Sequence, residues 1–337
     1  MIEIFIFLLV AFLYIHIVSQ YKSNEDLDVY EIDYYDNVNL QETCNLMQPF
    51  LFSTYDIFPK LPNLQELASL RSASPQLILY EKGDPTHPFE IPLKMATESV
   101  FFNPPTPQES HKQYYSEGNS RWMSNMADLS HDMHSLDSYL KPAFTASKEY
   151  DMLSGSIMCT TPFKYHRNTR KFLVVNEGEI CLKMAPWKSN KLYLYEVVDT
   201  VRGEIRSTVD VWNPSLKHKS SWEKIQFMEV LAKGGQVVYI PPYWGYSIQY
   251  RAANSQLYEV TYSTVFNRVA FLGEIVQNML QRENTVYKKW PSVEQVKVET
   301  KDPDSPKEFM NQENDGHIDQ EITDKTETTS IATNDII

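Results

Sequence analysis

FMEVLAKGGQVVYIPPYWGYSIQY, residues 227–250, decides the fold. It holds two short runs of β-branched and aromatic residues, QVVYI at 236–240 and YSIQY at 246–250, set apart by Pro241-Pro242 and preceded by Gly234-Gly235. Such runs, bounded by Gly and Pro, predict strands. More of them lie upstream and downstream: SGSIMCT at 154–160, KFLVV at 171–175, EICLKM at 179–184, KLYLYEV at 191–197 and LYEVTYS at 257–263. Many short strands separated by Pro, Gly and Asn are the pattern of a β-sandwich or barrel.

Further from this core the pattern changes. PQLILYEK at 75–82 reads as a strand, whereas LPNLQELASL at 61–70 and the polar, Met-rich stretch from Ser116 to Leu140 read as helical or irregular. VAFLGEIVQNMLQREN at 269–284 carries apolar residues at helical spacing and predicts a closing helix. The fold class is therefore mainly β with helical decorations.

The two ends differ from this middle. Ile2 to Val18 read IEIFIFLLVAFLYIHIV, in which Glu3 and His16 are the only acidic or basic side chains. A helix of that length covers about 25 Å at 1.5 Å per residue, close to the ~30 Å hydrocarbon layer, so 1–19 is expected to be a single-pass membrane anchor. A cleaved signal peptide is the rival reading, but no Lys or Arg opens the chain and no A-x-A-like site follows the run. Lys22, the one basic residue close by, leans the soluble part toward the cytoplasmic side. Residues 20–27 read as an acidic spacer and 28–285 as the folded domain. From 291 to 337 the chain is polar and acidic with almost no aromatic residue, which predicts a disordered tail.

Composition narrows the function. Apolar residues make up 42% and charged residues 22%, the balance of a globular protein, and the net charge of −13 would repel a phosphate backbone, so no nucleic-acid partner is expected. Cys44, Cys159 and Cys181 are too scattered for a disulfide framework or a thiolate zinc site. No Asn-X-Ser/Thr acceptor occurs, since Asn213-Pro214-Ser215 carries the forbidden proline; both features favour a reducing compartment. There is no phosphate-binding glycine loop, G-x-S-x-G elbow, H-E-x-x-H pair or C-x-x-C.

Four blocks, in order, resemble the cupin-like oxygenases of JmjC type. They are VYEIDYYDNVNLQETCNLMQPFLF near the start, the run from Leu140 to Trp187, STVDVWNPSL at 207–216, and the quoted 227–250 stretch, which is similar to the family phrase Leu-x-x-Gly-Asp-x-x-Tyr-Ile-Pro-x-x-Trp-x-His. The resemblance covers about residues 28–285 and implies a double-stranded β-helix (cupin or jelly-roll) that holds iron and 2-oxoglutarate. Few glycines, many Tyr and Asn residues and a minimal anchor also resemble the products of large DNA viruses, which implies a virion or host internal membrane.

Carried over residue by residue, the resemblance implies a lost metal site. The family motif Thr-Pro-x-His-x-Asp stands here as Thr161-Pro162-Phe163-Lys164-Tyr165-His166, and Tyr246 takes the place of the third ligand. Iron of this kind needs two imidazoles and a carboxylate, and a lysine ammonium must lose its proton before it can coordinate. Glu179 stands where a basic partner for 2-oxoglutarate is expected and would repel its carboxylate. No cofactor is therefore expected, and Lys164, His166 and Tyr246, with Thr161, Tyr165, Glu179 and Trp244 as pocket residues, mark a degenerate site. A binding or structural role follows, with an unidentified protein partner and a homodimer through 269–283 as further expectations.

The alternative is an Fe(II)/2-oxoglutarate protein hydroxylase that draws ligands from His131, His134 or His218. His131, Asp132, His134 and Asp137 otherwise read as a solvated helix face. Trp187, Trp212, Trp222 and Trp244 read as core and corner packing rather than as a stacking platform.

Overall fold

A computed structural model describes residues 2–55, 57–69, 75–102, 112–199, 204–283 and 288–289. The expected tail at 291–337 lies outside the described residues.

The protein is mostly β, with two large sheets. The larger has ten strands in the order Tyr30–Glu31, Phe50–Ser53, Gln236–Ile240, Arg170–Glu177, Gln256–Thr264, Thr145–Gly155, Tyr114–Ser116, Gln76–Glu81, Asp84–Pro92, Lys288–Lys289. The smaller has six, in the order Glu196–Asp199, Glu204–Ser207, Lys164–Tyr165, Trp244–Tyr250, Glu179–Pro186, Met228–Lys233. All pairings are antiparallel except those of the two-residue edge strands Tyr30–Glu31 and Lys288–Lys289. From Thr145 to Glu179 and again from Met228 to Thr264 the chain alternates between the sheets, while the four consecutive strands from Glu179–Pro186 to Met228–Lys233 all lie in the smaller one.

Period-two alternation then sorts the side chains. Leu153, Leu173, Val175, Leu182, Val238, Ile248 and Leu257 fill the space between the sheets together with Trp244, Tyr246 and Tyr250. Phe172, Val174, Tyr239, Tyr258 and Val260 point out of the larger sheet, under a cover that includes Leu64 and Leu67, Leu129 and Met133, and Leu140 from three helices. Phe163, Tyr165, Ala185, Trp187 and Tyr243 form a third cluster on the outer side of the smaller sheet. Trp244–Tyr250 is buried at every position, as a strand covered on both faces must be, and this explains its nearly unbroken apolar and aromatic sequence.

Two glycines of the 227–250 stretch are required. Gly235 turns the chain between Met228–Lys233 and Gln236–Ile240 at φ +84°, and the Tyr55 ring lies where its Cβ would be. At Gly245 a Cβ would overlap the Phe163 ring and crowd Trp187. Gly245→Ala is expected to cost about 1–3 kcal/mol by overpacking, measured by equilibrium denaturation. A loss within error would show that Phe163 and Trp187 are loosely held.

Two strand expectations differ from the structure. In 191–197 only the end is extended: Trp187–Leu194 is a helix and the strand begins at Glu196. The alternation of Leu192 and Leu194 with tyrosines masks a helical spacing in which Trp187, Asn190 and Leu194 are buried while Leu192 is 85% exposed. Tyr195, in the left-handed region, ends the helix. The strand placed at 154–160 lies earlier, at Thr145–Gly155, because the chain turns at Ser156–Cys159 with Met158 at φ +61° and then meets the smaller sheet in an isolated Thr160–Gln249 bridge rather than as a strand.

At the N-terminus, Ile2–Ser19 is one helix without a buried residue, long and apolar enough to cross a membrane. The acidic stretch after it is stitched to the folded domain. Tyr21 Oη donates to Ala270 O, the Trp244 indole N–H donates to Asn24 O at 2.9 Å, and Leu27 and Val29 pack on the cluster between the sheets.

Candidate functional site

Register alone brings the first part of the site together. Lys164 lies opposite Arg206 on one side and Tyr246 on the other, so three neighbouring strands of the smaller sheet place these side chains in one row. On the facing sheet Lys171 alternates with outward-pointing Phe172, on the same face as Leu173 and Val175. Glu259 lies opposite Leu173 and Asp151 opposite Glu259. One end of the space between the sheets is therefore charged and the rest is apolar.

The charges pair. Lys164 Nζ donates to Glu117 Oε2 at 2.7 Å and lies 3.0 Å from Glu204 Oε2. Arg206 donates to Glu117 Oε1 at 3.0 Å. Lys171 donates to Glu259, lies 3.4 Å from Glu204 Oε1, and donates to Tyr246 Oη at 3.3 Å. The Tyr246 hydroxyl donates in turn to Glu259 Oε2 at 3.3 Å. Three cations thus meet three carboxylates, and they do so out of water: Lys164 is 3% exposed, Lys171 2% and Tyr246 0%.

Electrostatics fixes the protonation states. Burial alone would favour neutral lysines, but Glu117 and Glu204 hold the Lys164 ammonium above its ordinary range, and Glu259 and Glu204 do the same for Lys171. Burial would raise the Glu204 carboxyl, yet Lys164, Lys171 and Arg206 outweigh it and bring it down to about 2. Asp151 sits at the edge of the network and accepts from the backbone N–H groups of Gly118 and Asn119. Its burial and the neighbouring Glu259 charge push it up to about 7.

His166 is held differently. Its Nε2 lies 3.0 Å from the Ile240 carbonyl oxygen and must carry the proton to donate there, while Nδ1 is buried without a partner. Burial, reinforced by the Lys171 charge, lowers it to about 3, so the ring is neutral at physiological pH.

These residues do not fit an iron site. Lys164 presents a protonated, doubly paired ammonium, Tyr246 Oη is engaged with Glu259 and Lys171, and only Nδ1 of His166 offers a free lone pair. Among the described residues no group of three His, Cys, Asp or Glu side chains is arranged to hold a metal. What the arrangement can do chemically is lock two sheets together by buried ion pairs.

The remaining expected residues are spread over the domain. Thr161 is buried, and its hydroxyl accepts from the Ile248 amide. Tyr165 points to the outer cluster, 4.4 Å from the Trp187 ring. Trp244 faces the space between the sheets. Glu179 lies five residues before Met184, the residue that registers with Tyr246, hence about 16 Å along the strand, and pairs with Lys233 at the opposite end. His131 and His134 lie exposed on the helix Ala127–Ser135, which packs on the outer face of the larger sheet, and His218 rings with Tyr195. Asp137 accepts from Lys148, Tyr150 and Tyr262, a tie between helix and sheet.

Trp212 and Trp222 flank the Lys183 ammonium at 4.5 and 5.7 Å, so the chain's own lysine occupies their faces. The three cysteines are free and buried, with burial raising the Cys44 and Cys159 thiols to about 12.

Sequence reasoning missed Glu117, Lys171, Glu204, Arg206 and Glu259. The signal was present in part: Lys171 and Glu259 are charges at inward positions of otherwise apolar strands. No family model matches this sequence and no curated protein matches it.

Proposed function

We propose that this chain is a membrane-anchored, non-catalytic barrel of the double-stranded β-helix type, related to the JmjC-like cupins, in which the metal site has become an ion-paired core and the function is binding or scaffolding. The observation that carries the reading is Lys164, at the first ligand position, clasped between Glu117 and Glu204 and sealed from solvent. A catalytic centre needs a path for its substrate and donors for its metal, and this interior offers a closed row of ion pairs. The barrel reading is supported by the repeated crossing of the chain between two sheets and by their inner strand orders, Gln236–Ile240, Arg170–Glu177, Gln256–Thr264, Thr145–Gly155 against Lys164–Tyr165, Trp244–Tyr250, Glu179–Pro186, Met228–Lys233. The anchor reading, over a leader that is removed, is supported by the contacts that Phe12 and His16 make with Phe266.

The test is anaerobic iron and 2-oxoglutarate binding by the full chain in detergent, beside the variant Lys164→His/His166→Asp/Tyr246→His/Glu117→Gln. The fourth change keeps Glu117 from being left without its lysine. The natural chain is expected to take up neither ligand while the variant takes up iron. Stoichiometric iron on the natural chain would overturn the reading.

A further inference from the structure

We infer that the helices Val265–Ala270 and Leu272–Glu283 form a second membrane contact, lying in the lipid interface beside the N-terminal anchor with an apolar face made by Val265, Val269, Leu272, Val276, Met279 and Leu280. This rests on the anchor reading above and extends it from a tether to a docked surface.

The face is apolar and exposed. These six side chains are between 49% and 70% exposed, and their spacing of four, three, four and three residues brings them to one side of a helical path. The opposite side is occupied: Asn267 and Phe271 are buried, and Glu274 is paired with Arg167. A row of exposed aliphatic side chains this long on a protein surface marks a contact with something apolar.

The anchor identifies the occupant. Phe12 and His16 of the helix Ile2–Ser19 lie against Phe266, with ring centroids 5.8 and 4.5 Å apart, the second pair stacked. Tyr21 continues the contact through Ala270 and the Phe271 ring, and Lys188 donates to Tyr21 O. An 18-residue helix rises about 27 Å, slightly less than the ~30 Å hydrocarbon layer, so every turn is needed to cross it. His16 and Phe12 stand three and seven residues before Ser19, hence about 5–10 Å below the end of the helix. Phe266 can meet both only if its helix lies at that depth, which is where interfacial amphipathic helices bury their apolar side. Lys22 and Lys188, near the end of the anchor, are then placed at the level of lipid phosphates.

The experiment uses the full chain in vesicles of phosphatidylcholine and phosphatidylglycerol at roughly three to one, the anionic lipid serving the two lysines. Spin labels are placed singly at Val10→Cys, Val276→Cys and Gln277→Cys, with the buried native cysteines left in place, and the accessibility of each to oxygen and to a water-soluble nickel chelate is measured. The expected result is a lipid-like oxygen-to-nickel ratio at 10 and 276, with the ratio at 276 several-fold above that at 277. A lipid reading at 10 with a water reading at 276 overturns the inference and leaves the anchor standing. A water reading at 10 overturns both. Spin–spin broadening at 276 that disappears on dilution with unlabelled chain shows a second copy on this face and also overturns it.

Discussion

Replacing Lys164 by methionine is expected to destabilise the domain by about 3–5 kcal/mol, a loss typical of removing one partner from a buried ion pair. Methionine fills the same space, so the loss comes from charge. Glu117 would lose Lys164 and keep Arg206, and Glu204 would lose Lys164 and keep Lys171 and the more distant Arg206. Glu117 is buried and the Glu204 side chain is only 12% exposed, so neither carboxylate regains full hydration while the sheets stay packed. For a domain of this size the loss amounts to roughly 10 °C in Tm, at about 2–4 °C per kcal/mol. Adding Glu117→Gln to Lys164→Met removes one of the two carboxylates that lost the ammonium and is expected to return part of the loss. Guanidinium denaturation of the full chain in detergent, followed by circular dichroism, measures both variants. A single-variant loss below about 1 kcal/mol, the level of an exposed pair, would show that the interior is wet.

The second large effect is hidden in the wild-type protein. His166 goes from an ordinary value of 6.5 to about 3 on folding, so between those values the unfolded chain binds more protons and stability rises with pH. Asp151 goes from 3.8 to about 7, so the folded chain binds more protons and stability falls as pH rises through that window. From about pH 4 to 6.5 the two slopes oppose each other, and the wild type is expected to be nearly flat as far as these groups are concerned. His166→Gln exposes the Asp151 slope, with stability falling by up to about 1.4 kcal/mol per pH unit as pH rises. Asp151→Asn exposes the His166 slope, of similar size and opposite sign. Denaturation midpoints at a series of pH values decide; two variants with the same sign of slope would contradict the assignment. Below about pH 4.5 Glu204 adds a further loss, because its carboxyl is held down to about 2 in the fold and must be protonated in acid.

The sheets were largely legible in the chain because their strands announce themselves locally. QVVYI coincides with Gln236–Ile240, and YSIQY and LYEVTYS fall inside Trp244–Tyr250 and Gln256–Thr264. Alternation failed at 191–197, where a helix and a strand each account for part of one pattern. At the site, the motif positions located Lys164, and register placed Tyr246 beside it. Their partners were not legible, since Glu117, Lys171, Glu259 and the pair Glu204 and Arg206 come from four separate segments with no common spacing. A charge on an inward position says that a partner exists; only the packing of one sheet on another says which.

The strap that joins the N-terminal helix to the domain sets a condition on synthesis. Tyr21 and Asn24 leave the ribosome early, but the groups that hold them, Trp244 and Ala270, follow 220 and 249 residues later. The strand Thr145–Gly155 likewise waits for Gln256–Thr264. Contacts this far apart in sequence make folding slow. These long-range pairs of the nascent chain therefore stay open until nearly the whole domain has emerged, which makes this interval the one in which a chaperone has most to protect.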